Sequence, residues 1–369
     1  MITCARENPA SRTSSSNRAL ALPLGAARGC CHDSCVLAPH ATIIVVTHNS
    51  ARWLERMCAA VDAQTETRWR LVLVDNGSRA EERPHHTALP PGASIIQCER
   101  NLGFAEANNL AARDADTPYL VFLNPDAFPE PDWLSMLIAA AESFSNAAAI
   151  GSTQLRADAS SVLDGTVFDG TGDVLHASGL AYRSNYGKAN AAIPPLGESF
   201  SACAAAMLVR RDAFEAVGGF DARYFCYFED VDLGFRLRLA GWRVLQSPDA
   251  IVAHVGGGVA GARSAFGDYH GARNRLWTFV KCMPSALFWP LLAPHLLASA
   301  LVCTVALATG RGAHAWRGML DALNGLAPIW ASRRDIQRAR KAGLGDIARA
   351  LAWSPDILIN RRPVIRPWR

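Results

Sequence analysis

Short runs of β-branched and aliphatic residues, spaced by segments of helical period, constrain this chain more than any other feature. Thr42-Ile43-Ile44-Val45-Val46-Thr47 is an unbroken run of the kind found in strands buried on both faces. Ser50 stands where a helix N-cap belongs, and Trp53, Leu54, Met57, Cys58 and Val61 follow at helical spacing. Leu71 to Val74, Ser94 to Gln97 and Tyr119 to Leu123 read as three more strands, with a helix expected over Phe104 to Arg113. A further helix is expected from Pro131 to Phe144, with Pro131 in its first turn. Strands alternating with helices predict an α/β fold, a mainly parallel mixed sheet flanked by helices. In such sheets ligands bind beyond the carboxyl ends of the strands. Three of those ends are polar: Thr47-His48-Asn49, Asp75-Asn76 and Asn124-Pro125-Asp126.

Further along, 151–195 is rich in Gly, Asp and Ser and reads as loop. Regular structure is expected again over Ala202–Val209, in a helix from Asp212 to Val217 closed by Gly218-Gly219, and in a helix from Glu229 to Ala240 ended by Gly241. Trp242 to Leu245 and Ile251 to Ala253 read as two short strands, the second leading into His254. With 369 residues, half of them hydrophobic and 19% charged, a large core is expected and global disorder is not. The ten cysteines are scattered, which points to free thiols in a reducing compartment. Cys30, Cys31, His32 and Cys35 cluster, but no second ligand pair follows at zinc-finger spacing, so they are assigned to an unstructured leader. The expected organisation is a disordered extension over 1–40, a catalytic domain over 41–280 and a helical C-terminal region over 281–369.

Strand one ends without glycine, whereas a dinucleotide-dependent oxidoreductase needs Gly-x-Gly-x-x-Gly there to bring amides to a pyrophosphate. A nucleotidyltransferase would need a Gly-rich basic loop at the same place, and none is present. Sugar transfer from a nucleotide diphosphate makes other demands. The departing diphosphate must be neutralised, usually by a divalent cation on oxygen ligands and sometimes an imidazole, and the acceptor hydroxyl needs a general base. Asp126, rigid behind Pro125 at a strand end, suits the first task; Asp230, at a helix start between Glu229 and Asp232, suits the second.

From Thr42 to His254 the chain resembles the inverting glycosyltransferases of family 2, which have the GT-A fold, and within them the rhamnosyltransferase-like branch. The resemblance rests on ordered segments: Ile43 to Ser50, Val74-Asp75-Asn76-Gly77-Ser78, Asn101-Leu102-Gly103-Phe104 with Asn108-Asn109, and Leu123-Asn124-Pro125-Asp126. It continues through Val217-Gly218-Gly219-Phe220-Asp221, Phe228 to Leu233, and His254 with Gly256-Gly257. It implies a nucleotide-sugar pocket at Thr47, Asn49, Asp75, Asn76, Asn101, Gly103, Asn108 and Asn124. It also implies Asp126 and His254 as contacts to a divalent cation, Mg2+ or Mn2+, and Asp230 with Glu229 as catalytic carboxylates. Asn124 stands where the family's Asp-x-Asp motif has its first Asp, and His48 where many relatives carry Tyr. The donor implied is dTDP-rhamnose, with a UDP-hexose as the alternative, and the acceptor a glycan or lipid-linked glycan of surface polysaccharide assembly. A non-catalytic nucleotide-sugar binder is the other alternative.

Ala286 to Ala308 carries no charge and is long enough to span a bilayer, though Pro290, Pro294 and His295 interrupt it. From Arg311 onward, 12 Arg or Lys face 4 Asp or Glu. A cytoplasmic active site followed by one crossing would export that basic tail, against the positive-inside tendency. The expectation is therefore a helix or helical hairpin in or dipping into the membrane face, with Arg333, Arg334 and their neighbours at lipid head groups on the inner face of the cell membrane. One or two spanning helices in 285–330, or a helix packed on the domain, are the alternatives. Nucleic acid is not an expected partner.

Overall fold

The computed structural model describes residues 38–85, 89–157, 167–256, 264–308, 310 and 312–368. The Cys30–Cys35 cluster, most of the expected 1–40 extension and Gly257 lie outside these. The first half runs β1 (Ala41–Thr47), α1 (Ala51–Asp62), β2 (Trp69–Asn76), β3 (Ser94–Cys98), α2 (Phe104–Arg113), β4 (Tyr119–Leu123), β5 (Ala127–Pro129) and α3 (Trp133–Ser143). There follow β6 (Ala147–Arg156), β7 (Phe168–Gly170), β8 (Asp173–Leu175), β9 (Ala181–Arg183), β10 (Gly197–Glu198), β11 (Ala206–Arg210), α4 (Arg211–Ala216), α5 (Glu229–Leu239) and β12 (Arg243–His254). Helices α6 (Ala265–Cys282), α7 (Ser285–Leu307), α8 (Gly312–Asn324), α9 (Leu326–Ala339), α10 (Leu344–Ala350) and α11 (Pro355–Ile359) complete the described chain.

The sheet runs β10-β12-β6-β11-β4-β1-β2-β3, with β5 added on β12 and β7 on β6. It is mixed rather than mainly parallel, which corrects the expectation from the sequence. β3, β2, β1 and β4 are parallel to their neighbours, as are β6 and β12, but β11 runs antiparallel to both β4 and β6 and joins the two blocks. Helix α3 carries the chain from β5 to β6, but among the described residues no helix lies between β6 and β11. β11 is reached through the 157–205 excursion, so nothing ties it to the parallel sense.

Residue parity along the strands explains the burial of both faces. Ile43, Val45, Leu71, Leu73 and Val121 pack with Trp53, Leu54 and Met57 of α1 and Trp133, Leu134 and Leu137 of α3. Ile44, Val74, Leu120 and Phe122 face the other way, against α2, Phe214 of α4 and Leu233 and Leu237 of α5. A further core joins α5 to the C-terminal helices through Phe235, Leu276, Phe279, Phe288, Met319 and Ile329.

Other local readings change. The stretch read as loop contains the end of β6, the buried strands β7 and β8, and β9, in which Tyr182 alone is buried. Its Gly and Asp content reflects strands that bury carboxylates, not solvent exposure. The two short strands expected over 242–253 are one, β12, with a register shift between Gln246 and Ile251 that accommodates Pro248. α3 begins at Trp133, so Pro131 precedes it. Ser50 makes no side-chain cap; its hydroxyl lies 2.6 Å from Thr47 Oγ1.

Candidate active site

Strand register brings the three polar ends together. Thr47 pairs with Asp75 and Val45 with Leu123, so Asn49, Asp75 and Asn124 leave the sheet at one edge. The donor-side loops are then tied by short hydrogen bonds. Asn49, with φ 50°, accepts from the Arg79 N–H at 2.9 Å through Oδ1, and its own N–H donates to Ser78 Oγ at 3.0 Å. Asp75 is 1% exposed; Oδ1 accepts the Ser78 N–H at 3.1 Å, while Oδ2 has no hydrogen-bond partner among the described residues. A buried carboxylate oxygen left open at a ligand edge is costly unless something else meets it.

Asn76 is different. Its Nδ2 donates to Asn101 Oδ1 at 3.0 Å and Gly103 O at 3.2 Å, and Oδ1 accepts the Leu102 N–H at 2.7 Å. Its amide is therefore committed to shaping the 101–103 loop. Asn101 Oδ1 also accepts the Gly103 N–H at 2.8 Å, and Asn108, 1% exposed, donates to Phe104 O. Gly103 has φ 85°, and a Cβ there would lie 2.6 Å from the Phe225 ring. Only glycine permits both the backbone and the approach.

On the far side of Asn124, β12 delivers His254. Its Nε2 lies 3.4 Å from Asp126 Oδ1 and its Nδ1 2.8 Å from Asp169 Oδ2, and Asp169 is in turn paired with Arg183. All of Asp126, Asp169 and His254 are at most 4% exposed. Burial opposes charge on His254, but the carboxylates of Asp126 and Asp169 outweigh it and raise the imidazole to about 9. Burial likewise opposes charge on Asp169, yet His254 and Arg183 hold its carboxyl below the usual range.

The second acid cluster is built at the start of α5, where helical rotation sends three acids three ways. Asp232, fully buried, pairs with Arg236 at 2.8 Å and Lys281 at 2.7 Å and serves as an anchor. Glu229 is 6% exposed and its Oε2 has no hydrogen-bond partner among the described residues. Asp230 stays partly open. Its Oδ2 accepts the Ala204 N–H at 3.2 Å and its Oδ1 the Val231 N–H at 2.8 Å. Burial raises the Asp230 carboxyl, against these N–H bonds and Arg183. Burial and then Asp230 push Glu229 and Asp173 well above the ordinary carboxylate range.

One backbone segment links the two clusters. The Asn124 N–H donates to Ala205 O at 2.9 Å, beside the Ala204 N–H that holds Asp230. Arg183 pairs with Asp169 and also acts electrostatically on Asp173 and Asp230. The cleft therefore contains three residues that reading the sequence missed: Asp169, Asp173 and Arg183. The signal was present in Asp169-Gly170-Thr171-Gly172-Asp173, where acids alternate with glycines as in close-packed turns, but it was read as loop.

The comparisons with known proteins agree. The sequence profile described as glycosyl transferase family 2 matches residues 42–218. An N-acetylglucosaminyl-diphospho-decaprenol L-rhamnosyltransferase of Mycobacterium tuberculosis is 32% identical over 234 residues, covering 58% of this chain and 75% of its own. The rhamnosyltransferase WbbL of Escherichia coli is 30% identical over 224 residues, covering 56% of this chain and 80% of its own. Among solved structures, GalNAc-T7 with UDP, GalNAc and Mn2+ shares the fold at a TM-score of 0.52 and 16% identity, over 66% of this chain and 48% of that one. Sequence and fold together make this chain a member of glycosyltransferase family 2, related to its rhamnosyltransferases and O-antigen biosynthesis enzymes.

Proposed function

We propose that the protein transfers rhamnose, with inversion, from dTDP-rhamnose to a lipid-linked glycan at the inner face of the cell membrane. Family membership carries the general reaction, a nucleotide sugar giving up its sugar to a glycan or lipid acceptor. The relatives named for rhamnosyl transfer support the donor. The observation that carries the mechanism is the shared 204–205 backbone, which the base candidate and the diphosphate-side loop both grip.

In this reading Asp75 receives the nucleoside through its open oxygen, while Thr47, Asn49 and Asn101 shape the pocket and Asn76 and Asn108 support it from beneath. Asp230 takes the proton of the acceptor hydroxyl as that oxygen bonds to the anomeric carbon. The bond from that carbon to the diphosphate oxygen breaks on the opposite face, and the nucleoside diphosphate leaves with the electron pair. Glu229 stands behind Asp230, its carboxyl pushed well above the ordinary range by burial and by Asp230.

Among the described residues no three His, Cys, Asp or Glu side chains gather as a metal cage. Asp126 and His254 fit a divalent cation that takes its remaining ligands from phosphate and water. Such a cation, when bound, supplies charge neutralisation of the leaving diphosphate. Turnover over a panel of nucleotide sugars, with Mn2+, Mg2+ or EDTA, tests the reading. Consumption of dTDP-rhamnose alone is expected. Turnover of a UDP-hexose instead would replace the donor, and nucleotide binding without transfer from any sugar would remove the enzyme.

The membrane assignment rests on α7, which is long and apolar enough to cross a bilayer by length and composition. It also packs on the domain along one side. Phe288, His295, Ser299 and Cys303 form one buried stripe, about 22 Å long at 1.5 Å per residue. His295 stacks on Phe279 with centroids 4.0 Å apart and bonds to Ser178 O at 2.8 Å, and Gly179, with φ 78°, leaves room for its ring. The opposite face exposes Trp289, Leu297, Leu301 and Val305 at 60–72%. A helix docked on protein along four turns and apolar on its other side suits an in-plane position at the lipid interface. Arg333 does not join the basic surface: it is 5% exposed and donates to Val280 O and Met283 O, closing the end of α6. That corrects its expected place at head groups, which Arg334, exposed, can still take. Leu297→Glu with Leu301→Glu should abolish flotation with anionic vesicles while leaving the fold intact; unchanged flotation would refute the placement.

A further inference from the structure

The residues leading into Asp230 follow a backbone that large side chains avoid. Phe225, Tyr227 and Phe228 have φ of 65°, 70° and 69°. None is glycine, so the surroundings must impose the conformation. Most of that restraint comes from one helix. Asn274 of α6 is fully buried, and its Nδ2 lies 2.9, 2.9 and 2.7 Å from the carbonyl oxygens of Tyr224, Cys226 and Tyr227. Its Oδ1 accepts from Arg273 Nε at 2.9 Å, which fixes the amide with its N–H groups toward the turn. The Arg273 guanidinium adds bonds to Arg223 O at 3.1 Å and Tyr224 O at 2.8 Å.

The opposite side of the turn is held by the donor pocket. Phe225 O accepts the Ala105 N–H at 3.2 Å, and the Phe225 ring lies over Gly103. The turn ends at Phe228, whose carbonyl accepts the Asp232 N–H at 2.9 Å in the first turn of α5. Asp230 is the second residue of that helix. The aim of its carboxylate at Ala204 therefore depends on the turn.

We propose that Asn274 is a positioning residue for the transfer reaction, clamping the 224–228 turn so that Asp230 faces the acceptor and is coupled to the 101–103 loop of the donor pocket. The proposal rests on the reading of Asp230 as the base. With the clamp removed, the three aromatic residues relax toward ordinary backbone, the start of α5 rotates and Asp230 loses its N–H partner at Ala204. Neither the donor's binding groups nor the base itself has changed.

The test compares Asn274→Ala, Arg273→Gln, Asp230→Asn and the full-length parent, using dTDP-rhamnose or the donor that replaces it in the panel assay. Asn274→Ala should lower kcat by about 10²-fold, the scale of an ångström-sized misplacement, with the Kd for dTDP within about twofold. The acid limb of its pH–rate profile should move to higher pH, because the Ala204 N–H bond that helps hold the Asp230 carboxylate down is lost. Arg273 is part-exposed, and Arg273→Gln should show the same pattern more weakly, which carries the test if the alanine variant does not fold. Unchanged kcat in the folded variants, or a loss of rate with an unmoved acid limb, would overturn the positioning role. Full turnover in Asp230→Asn would instead remove the base, and the proposal with it.

Discussion

Two groups of acids face the same cleft in opposite electrostatic settings. Asp126 and Asp169 share the imidazole of His254, and Asp169 also has Arg183. Asp173, Glu229 and Asp230 act on one another, with Arg183 opposing the rise at Asp173 and Asp230. Buried to similar depth, the carboxyl of Asp169 is held low and those of Asp173 and Glu229 are driven high. Depth alone therefore does not decide the state of an acid here; the neighbour does. In the proposed reading the first side holds charge beside a diphosphate and its counter-ion. The second holds and exchanges a proton.

Removing the proton acceptor is the harshest challenge to this division. Asp230→Asn keeps the shape, but its amide has a single oxygen, so only one of the two N–H contacts survives, and it has no basic oxygen. We expect kcat to fall by about 10³-fold, within the range for a general base, with dTDP affinity preserved in a binding titration. A similar loss of affinity would assign Asp230 to the charge-holding side instead.

Asp169→Asn challenges the other half. The carboxylate that orients the His254 ring becomes an amide, and the link to Arg183 loses its charge. Mn2+ affinity in the presence of dTDP, measured by titration without turnover, should fall by about 10–100-fold, as for lost partners of metal-binding histidines. Unaltered Mn2+ affinity would detach Asp169 from the diphosphate end. Asp169 escapes a reading of the sequence because its acid-and-glycine segment reads as loop, and 85 positions separate it from the His254 nitrogen 2.8 Å away.

The same reason sorts what was legible from what was not. Thr47, Asp75, Asn124 and Asp126 follow directly from buried strands whose polar ends must share an edge, and the register confirms that edge. Asp230 could be picked out because it opens a regular element, whereas His254 at the end of β12 takes its role only from the family resemblance. The sense of β11, the role of Arg183 and the clamp at Asn274 depend on contacts made across the fold, and no local pattern encodes them. Asn76 shows the converse. An asparagine at a strand end reads alike whether it meets a ligand or ties a loop, and here its amide is committed to the 101–103 loop.

The pH dependence sharpens the comparison further. If Asp230 is the base, kcat/KM must fall as pH drops through its free-enzyme value, and burial sets that value above the ordinary aspartate 3.8. The acid limb should therefore lie at higher pH than an exposed carboxylate would produce. A limb at or below the ordinary value would mean that the second cluster does not retain its proton.

Glu229→Gln gives the smallest kinetic effect and isolates the coupling between the paired acids. Burial and Asp230 push the Glu229 carboxyl well above the ordinary glutamate range, so a neutral amide of similar shape should leave the neutral-pH rate within about threefold. The acid limb should stay in place, because burial and Asp230 keep the proton on Glu229 while Asp230 titrates. Stability should respond. The unfolded chain loses the Glu229 proton near 4.5, while the folded chain keeps it to higher pH, so this group costs nothing below 4.5 and progressively more until pH passes its folded value. The variant should therefore melt with the parent in acid and above it at neutral pH. A gap that does not widen as pH rises would show that Glu229 is ionised in the folded protein, and the proton-holding side would then be reduced to Asp173 and Asp230.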